Sequence, residues 1–387
     1  MTSTLAAFRA AGQSLWLDAV SRGLLRSGEL ARLVGAGITG VTSNPTIFAK
    51  AFAARADYAQ DVERLGSTGL DSQAIYESLV AVDIREAADL LLPAWGHSER
   101  WDGCVSVEVA PRTAHDEAAT LAEAERWCSA IARPNVMIKV PATDAGLRAL
   151  TELVHRGRNV NVTLIFGVEQ YSRTIDAWLA GLERRHAEGA VIGGIACVAS
   201  FFLSRIDSAV DPRLEQIARE DPTAADLVGG TALDVARLAY ERYRALAEDP
   251  RWIELRHAGA SVQRLLWAST GAKSAAFGPT HYVDRLALPG TVNTLPPETL
   301  EAVLRQGRPS GDTLVPAAEA QRRLARLAAL GIDADALARE LQRQGLDKFA
   351  ASYAEAVSAV AWRHAETFPD TPAAPTARAA AARVPPP

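Results

Sequence analysis

The segment Val136-Met137-Ile138-Lys139-Val140-Pro141 places one lysine inside an apolar run that is rich in β-branched residues. Such a run is typical of a buried strand. An ammonium group is costly to bury without a partner, so lysines in this setting commonly keep part of their amine neutral and nucleophilic. The segment therefore suggests imine formation between Lys139 and a carbonyl substrate. The alternative is a lysine at a strand end that reaches water or meets a carboxylate.

Similar short apolar runs recur along the chain, separated by longer segments with helical periodicity, which is typical of βα units and a parallel sheet. Strands are predicted at residues 14–18, 38–43, 104–109, 136–140, 160–166, 195–200, 264–269 and 291–294. Eight such units favour an α/β fold, a closed (β/α)8 TIM barrel with additional helices. A doubly wound sheet is the main alternative, but no G-x-G-x-x-G turn follows the first strand and the chain lacks a Walker lysine loop.

A single barrel domain is expected over residues 1–366, with C-terminal helices included in it. Extra helices are predicted in the two long connections, residues 51–100 and 207–263, and again between residues 297 and 368. From Thr367 the composition changes to Pro, Ala and Thr. Residues 367–387 are therefore predicted to form a disordered tail.

Composition limits the classes of partner. With 387 residues, 48% of them hydrophobic, the chain can bury a large core. The formal net charge of −5 gives no overall basic field, so a nucleic-acid partner is not expected and any phosphate site must be local. The sequence shows neither a signal peptide nor a membrane-spanning apolar run, so we expect a cytoplasmic protein without a membrane partner. Cys104, Cys128 and Cys197 lack metal-like or redox spacing and are expected to be reduced.

Polar residues occur at the carboxyl ends of the predicted strands, where barrels of this kind carry their reacting groups. They are Asp18, Thr42, Asn44, Ser106, Glu108, Lys139, Asn161, Thr163, Ser200 and Ser269. Residues two apart on a strand share a face, so Ser106 can point inward with Glu108, and Asn161 with Thr163. Each residue taken alone is more often a cap or a satisfied core group. Taken together they favour a catalytic site, because polar filling of a barrel has a stability cost that packing does not explain.

Six ordered segments carry a family resemblance: residues 12–18 (GQSLWLD), 40–48 (GVTSNPTIF), 105–109 (VSVEV), 135–143 (NVMIKVPAT), 161–166 (NVTLIF) and 266–271 (LWASTG). They resemble the motifs of transaldolases in their longer bacterial form. The resemblance implies a Schiff-base enzyme that needs no metal or organic cofactor. It also implies transfer of a dihydroxyacetone unit between ketose and aldose phosphates in the pentose phosphate pathway. Sugar phosphates are the implied partners, and the chain is expected to be a monomer or homodimer.

The resemblance also implies roles for matching catalytic residues. Lys139 matches the Schiff-base lysine, and Asp18 matches the carboxylate that takes the proton from the C4 hydroxyl. Glu108 and Thr163 match a pair that orders a water beside the imine. No metal ligand is implied.

Further residues match the part of the family site that binds substrate. Arg205 matches an arginine that holds the phosphate. Many transaldolases place a second arginine just after the seventh-strand Ala-Ser pair, and Lys273 is its expected substitute in this chain. Gly167 replaces a common serine and is expected only to loosen its loop. The remaining residues expected to bind substrate are Asn44, Thr42, Ser106, Asn161, Ser200, Phe202 and Ser269.

Two other functions remain open at this point. One is a simple aldolase resembling fructose-6-phosphate aldolase, which releases dihydroxyacetone to water. Those enzymes are much shorter and have a tyrosine and a glutamine where this chain has Phe202 and Glu108. The other is a non-catalytic sugar-phosphate binding homologue, against which the presence of both Lys139 and Asp18 argues. The sequence thus favours the transferase.

Overall fold

Eight parallel strands close into a barrel in the computed structural model, which describes residues 4–54, 56–274 and 276–367. The strands follow one another around the barrel in chain order: β1 Ser14–Leu17, β2 Gly40–Thr42, β3 Cys104–Glu108, β4 Val136–Pro141, β5 Asn159–Ile165, β6 Cys197–Phe202, β7 Arg264–Ala268 and β8 Val292–Leu295. β1 pairs with β8 from Ser14 opposite Val292 to Leu17 opposite Leu295, which completes the ring. The predicted (β/α)8 barrel is confirmed, and the doubly wound alternative is excluded.

Helices surround this barrel, including both long connections where extra helices were expected. In the described part of the chain they are α1 Thr4–Ala10, α2 Arg22–Arg26, α3 Glu29–Ala36, α4 Pro45–Ala53, α5 Ala59–Gly66, α6 Ser72–His97, α7 Glu117–Ile131, α8 Asp144–His155, α9 Val168–Ala187, α10 Ser204–Ile217, α11 Thr231–Ala245, α12 Pro250–His257, α13 His281–Arg285, α14 Pro297–Gln306, α15 Ala317–Ala329 and α16 Ala334–Thr367. None of the described helices is both long and apolar enough to cross a membrane.

Side-chain caps begin two helices directly after strands. Asn44 Oδ1 accepts a hydrogen bond from the Ile47 backbone N–H at 3.1 Å, and Pro45 fills the first position of α4. Thr143 Oγ1 accepts from the Gly146 N–H at 3.0 Å and begins α8. These caps keep the connections after β2 and β4 short, so the carboxyl ends of both strands are held in place.

The last described helix, α16, packs across the carboxyl end of the barrel. Gln342 Nε2 donates to the carbonyl oxygens of Ala142, 3.0 Å away, and Leu164, 3.1 Å away, which lie at the ends of neighbouring strands β4 and β5. A Cβ atom added to Gly345 would lie 2.8 Å from Leu164 Cδ2, so only glycine fits there without a shift. The helix is therefore part of the end of the barrel where the predicted site residues lie.

Gly167 has a different role from the one expected. It is buried, it precedes α9 as its N-cap, and an added Cβ would lie 2.9 Å from Cβ of Ala338 in α16. The Gln170 side chain accepts hydrogen bonds from the Phe166 and Gly167 N–H groups. The expectation of a looser loop is wrong, because this glycine permits close packing of α16.

The limits of the domain stay a prediction. The proposed tail, residues 367–387, lies outside the described residues except for Thr367, which belongs to α16. The three cysteines are free thiols, with Cys104 and Cys197 buried.

A buried ion pair closes the amino-terminal end of the barrel. Arg264 Nη1 lies 3.5 Å from Asp102 Oδ1, and Nη2 donates to Ser14 Oγ at 2.6 Å and to the Thr291 carbonyl at 2.9 Å. The guanidinium carbon lies 4.5 Å from the centroid of the Trp101 ring. One side chain thus joins β7, β1 and the segments before β3 and β8.

Arg264→Met should destabilise the protein by about 3–5 kcal/mol, because removal of one partner leaves the buried Asp102 carboxylate without its cation. The free energy of unfolding in urea measures this loss. Arg305→Met, at an exposed position on α14, is the matched control and should change stability by less than about 0.5 kcal/mol. Equal effects of the two substitutions would contradict a structural role for the ion pair.

Candidate active site

A cavity of about 580 Å³ opens at the carboxyl ends of the strands, beneath α16. A volume of this size suits a small-molecule ligand. Nine residues expected from the sequence line it: Asp18, Thr42, Asn44, Lys139, Ser200, Phe202, Arg205, Ser269 and Lys273. The other four, Ser106, Glu108, Asn161 and Thr163, belong to the strands beneath the cavity. The barrel therefore brings the expected residues to one end of the molecule.

Lys139 and Glu108 form an ion pair inside the barrel. They are register partners on β4 and β3, and Lys139 Nζ lies 3.4 Å from Glu108 Oε2, with the two side chains 4% and 5% exposed. Lys139 Nζ also donates to the Ser43 carbonyl at 3.3 Å. The lysine does meet a carboxylate, as one alternative allowed, but it does so at the base of a cavity rather than at the surface.

Burial raises the pKa of Glu108 to about 7, although the charge of Lys139 acts in the opposite direction. Near neutral pH this carboxyl group is thus able both to accept and to donate a proton. Its nearest charged neighbour is the Lys139 amine, so a proton that passes between the two groups has only 3.4 Å to cross.

Thr163 Oγ1 is buried beside this pair and has no hydrogen-bond partner among the described residues, and Glu108 Oε2 has the Lys139 ammonium as its one polar neighbour there. Glu108 and Thr163 belong to β3 and β5, which flank the strand that carries Lys139. β5 is irregular at this point, because its register shifts between Val162 and Ile165 and Leu164 has a positive φ of 60°. Irregular strands commonly redirect side chains next to active sites. A buried hydroxyl without a partner, such as that of Thr163, indicates a place for a polar ligand or water.

Asp18 lies just after β1 in a chain of hydroxyl groups. Its Oδ1 accepts from Thr42 Oγ1 at 2.7 Å, and Thr42 Oγ1 lies 2.6 Å from Thr294 Oγ1 on β8. Burial raises the pKa of Asp18, while the charge of Lys139 and the Thr42 hydrogen bond oppose the rise. A carboxylate oriented in this way, within the field of the lysine, suits a general base.

A second hydrogen-bonded chain crosses the barrel interior. Ser200 Oγ donates to Asn161 Oδ1 at 2.7 Å, and Asn161 Nδ2 donates to Ser106 Oγ at 3.0 Å. The amide of Asn161 is therefore held in one orientation between β6 and β3. Ser200 reaches the cavity, whereas Ser106 and Asn161 are completely buried below it, so their contact with substrate stays a prediction.

Two residues at the rim of the cavity have constrained conformations. The cap of α4 uses Asn44 Oδ1, so Nδ2 is the part of this side chain that can donate to a ligand. Ser269 has a positive φ of 54° and its Oγ lies 2.9 Å from Ser204 Oγ. A serine in the left-handed region carries backbone strain, which clusters at functional sites.

Four cations line the upper part of the cavity: Arg205 and Lys273, which were expected, and Lys50 and Lys348, which were not. The Arg205 guanidinium carbon lies 5.3 Å from the centroid of the Phe202 ring. Within the described residues none of the four pairs with a carboxylate at ion-pair distance. Desolvation lowers the pKa of Arg205, with Glu108 and Asp18 opposing. An unneutralised group of cations suits an anionic ligand.

Sequence reasoning missed Lys50, Thr294, Glu298, Lys348 and Phe349, all of which line the cavity. Thr294 ends a predicted strand, so the rule used for the other strands could have found it. Phe349 is 4% exposed and its ring centroid lies 5.8 Å from Lys139 Nζ. No local pattern around Phe349 signals that position, since only the packing of α16 brings it to the lysine.

Comparison with known proteins gives a consistent result. A family model described as "Transaldolase/Fructose-6-phosphate aldolase" matches residues 15–360. "Transaldolase 1" of Streptomyces avermitilis is 45% identical over 352 residues, which cover 90% of this chain and 93% of that protein. "Transaldolase" of Frankia alni is 44% identical over 363 residues, covering 93% and 97%. "Transaldolase" of Thermobifida fusca is 45% identical over 363 residues, covering 93% and 98%.

Glu108→Gln should alter stability in a pH-dependent way. Because the folded state raises the pKa of Glu108 from 4.5 to about 7, its contribution to stability is present below pH 4.5 and is lost as the pH rises through about 7. Glutamine does not titrate, so the melting temperature of the variant minus that of the wild type should increase across this interval. Thermal melts measure the difference, with Glu301→Gln, an exposed carboxylate on α14, as control. A difference that falls or stays constant would contradict the effect of burial.

Proposed function

Because the chain belongs to the transaldolase/fructose-6-phosphate aldolase family, we propose that it transfers a dihydroxyacetone unit through a Schiff base on Lys139. The reaction converts sedoheptulose 7-phosphate and glyceraldehyde 3-phosphate into erythrose 4-phosphate and fructose 6-phosphate. The observation that carries the proposal is the buried amine of Lys139, 3.4 Å from the Glu108 carboxylate at the base of a cavity lined by cations. The proposed setting is the pentose phosphate pathway in the cytoplasm.

The first half of the reaction forms and uses the imine. Lys139 gives a proton to Glu108, and its neutral amine attacks the C2 carbonyl of the ketose phosphate. Glu108 then protonates the departing hydroxyl group of the carbinolamine, which leaves as water, and Thr163 helps to hold that water. Asp18 removes the proton from the C4 hydroxyl as the C3–C4 bond breaks. The bonding electrons pass to the iminium, and an aldose phosphate is released.

The second half reverses these steps on the acceptor. The enamine carbon attacks the aldehyde of the incoming aldose phosphate, and Asp18 returns its proton to the new hydroxyl group. Water then hydrolyses the imine with Glu108 as general base. Arg205 binds the phosphate, and Lys273 is proposed as an additional contact. Asn44, Asn161, Ser200 and Ser269 are proposed to bind hydroxyl groups of the sugar.

A transferase must keep its enamine from being protonated before the acceptor arrives. Two aromatic residues support this requirement here. Phe202 lines the cavity without a hydroxyl group that could activate water, and Phe349 lies over the lysine amine. Exclusion of water from this side of the site favours transfer over release of dihydroxyacetone.

Borohydride reduction in the presence of fructose 6-phosphate should leave a three-carbon adduct on the peptide that contains Lys139. Lys139→Arg should lose essentially all turnover and all adduct, because a guanidinium does not deprotonate in proteins. Peptide mass spectrometry locates the adduct. An adduct on another lysine, or none in an active preparation, would rule out the mechanism.

Transfer from fructose 6-phosphate to erythrose 4-phosphate should be much faster than release of free dihydroxyacetone by the same sample. Phe349→Ala should increase the released fraction, because it opens the space beside the amine to water. Leu346→Ala, on the same helix but outside the cavity lining, is the matched control and should leave the ratio unchanged. Both products are quantified in one reaction. Dominant release by the wild type would identify an aldolase instead.

A further inference from the structure

The distribution of lysine in this chain is strongly uneven. Of its 41 basic residues only four are lysines, namely Lys50, Lys139, Lys273 and Lys348. All four line the same cavity, where Arg205 is the sole arginine among the described lining residues. Every basic residue outside the cavity lining is an arginine. The chain therefore has lysine side chains only at the cavity. Lys139 is explained by the proposed imine chemistry, which leaves three lysines to explain.

Resting on the proposed function, we infer that Lys348 of α16 is the second phosphate contact of the site and binds the sugar phosphate together with Arg205. The sequence resemblance assigned this task to Lys273 in the loop after β7. The structure favours α16 because of how this helix is held.

Close packing places α16 next to Arg205. A Cβ atom on Gly345 would lie 3.6 Å from Arg205 Nη1, so the helix backbone passes beside the guanidinium. Lys348 follows Gly345 by three residues and therefore lies on the same side of the helix, one turn further along. The Gln342 hydrogen bonds to the strand ends and the contact of Ser352 Oγ with Thr46 Oγ1, at 2.8 Å, fix the helix on both sides of this turn.

Electrostatics agrees with this placement. The pKa of Lys348 is lowered chiefly by the charge of Arg205, then by desolvation, and further by Lys273 and Lys50. Neither Arg205 nor Lys348 has a carboxylate partner at ion-pair distance in the described residues. Two such cations side by side repel each other, and a phosphate dianion between them would convert that repulsion into attraction.

Lysine also suits the geometry of this reaction better than a second arginine. The dihydroxyacetone part of each ketose is fixed at Lys139, whereas the phosphate is one carbon further away in the seven-carbon sugar than in the six-carbon sugar. A flexible side chain with a point charge can follow that displacement, while a rigid guanidinium fork favours one position. The flexible side chain of Lys348 would then keep a contact with the phosphate in both sugars.

Calorimetric titration with inorganic phosphate tests the inference without requiring turnover. Lys348→Gln should weaken phosphate binding by roughly 10-fold or more, as expected for loss of one charge-assisted contact, and Arg205→Ala should do the same. Lys348→Arg keeps the charge and should retain most of the binding. Arg339→Gln, which removes an exposed cation of α16 outside the cavity lining, should bind like the wild type.

Kinetics provides the second measurement. Lys348→Gln should raise the KM for fructose 6-phosphate with a smaller change in kcat, and Lys273→Gln should have the weaker effect of the two. The inference is overturned if Lys348→Gln binds phosphate like Arg339→Gln, if only Lys273→Gln loses affinity, or if the wild type does not bind phosphate. The two proposals can fail separately. If phosphate binding depends on Lys348 but borohydride traps no adduct on Lys139, the proposed reaction is disproved and the phosphate contact of Lys348 still holds.

Discussion

The candidate active site is organised around one ammonium–carboxylate pair that is buried in the centre of a parallel barrel. Removal of two charges from water is expensive, and the attraction between them offsets the cost only when their geometry is fixed. Lys139 and Glu108 obtain that geometry from adjacent positions on β4 and β3, whose register makes the two residues partners. The surrounding polar chains are held in a similar manner, because Asn161 is fixed from both sides by serines of other strands. Burial of this preorganised polar interior therefore costs free energy, which the apolar packing of the rest of the barrel offsets.

The site is assembled from segments that are distant in sequence. Asp18 follows the first strand, Thr294 belongs to the last strand, and Phe349 comes from a helix beyond the barrel. Pairing of β1 with β8 brings Asp18 and Thr294 together, and the hydrogen bonds of Gln342 hold α16 so that Phe349 lines the same cavity. Neither short loops nor local motifs can produce this arrangement. The reactive end of the barrel therefore exists only when the ring is closed and α16 is docked.

The sequence predicted the strands and the residues on them well, because both depend on local patterns. Apolar runs of suitable length located all eight strands to within a few residues, and the rule of reacting groups at the carboxyl ends led from those strands to Asp18, Glu108 and Lys139. The contributions of α16 could not be predicted in this way. A lysine and a phenylalanine on a long amphipathic helix are ordinary, and only tertiary packing distinguishes Phe349 from other buried aromatic residues. The expected role of Gly167 failed for the same reason, since the neighbour that requires a glycine lies far along the chain.

The concentration of every lysine side chain at one cavity has a practical consequence for handling the protein. Reagents that acylate or reductively alkylate primary amines have no harmless lysine on the remaining surface to consume them. Apart from the α-amino group, covalent coupling through amines would attach the molecule by lysines that line its own cavity. Labelling that must preserve the cavity should therefore be directed to another functional group, and lysine-directed footprinting becomes a measurement of this one region.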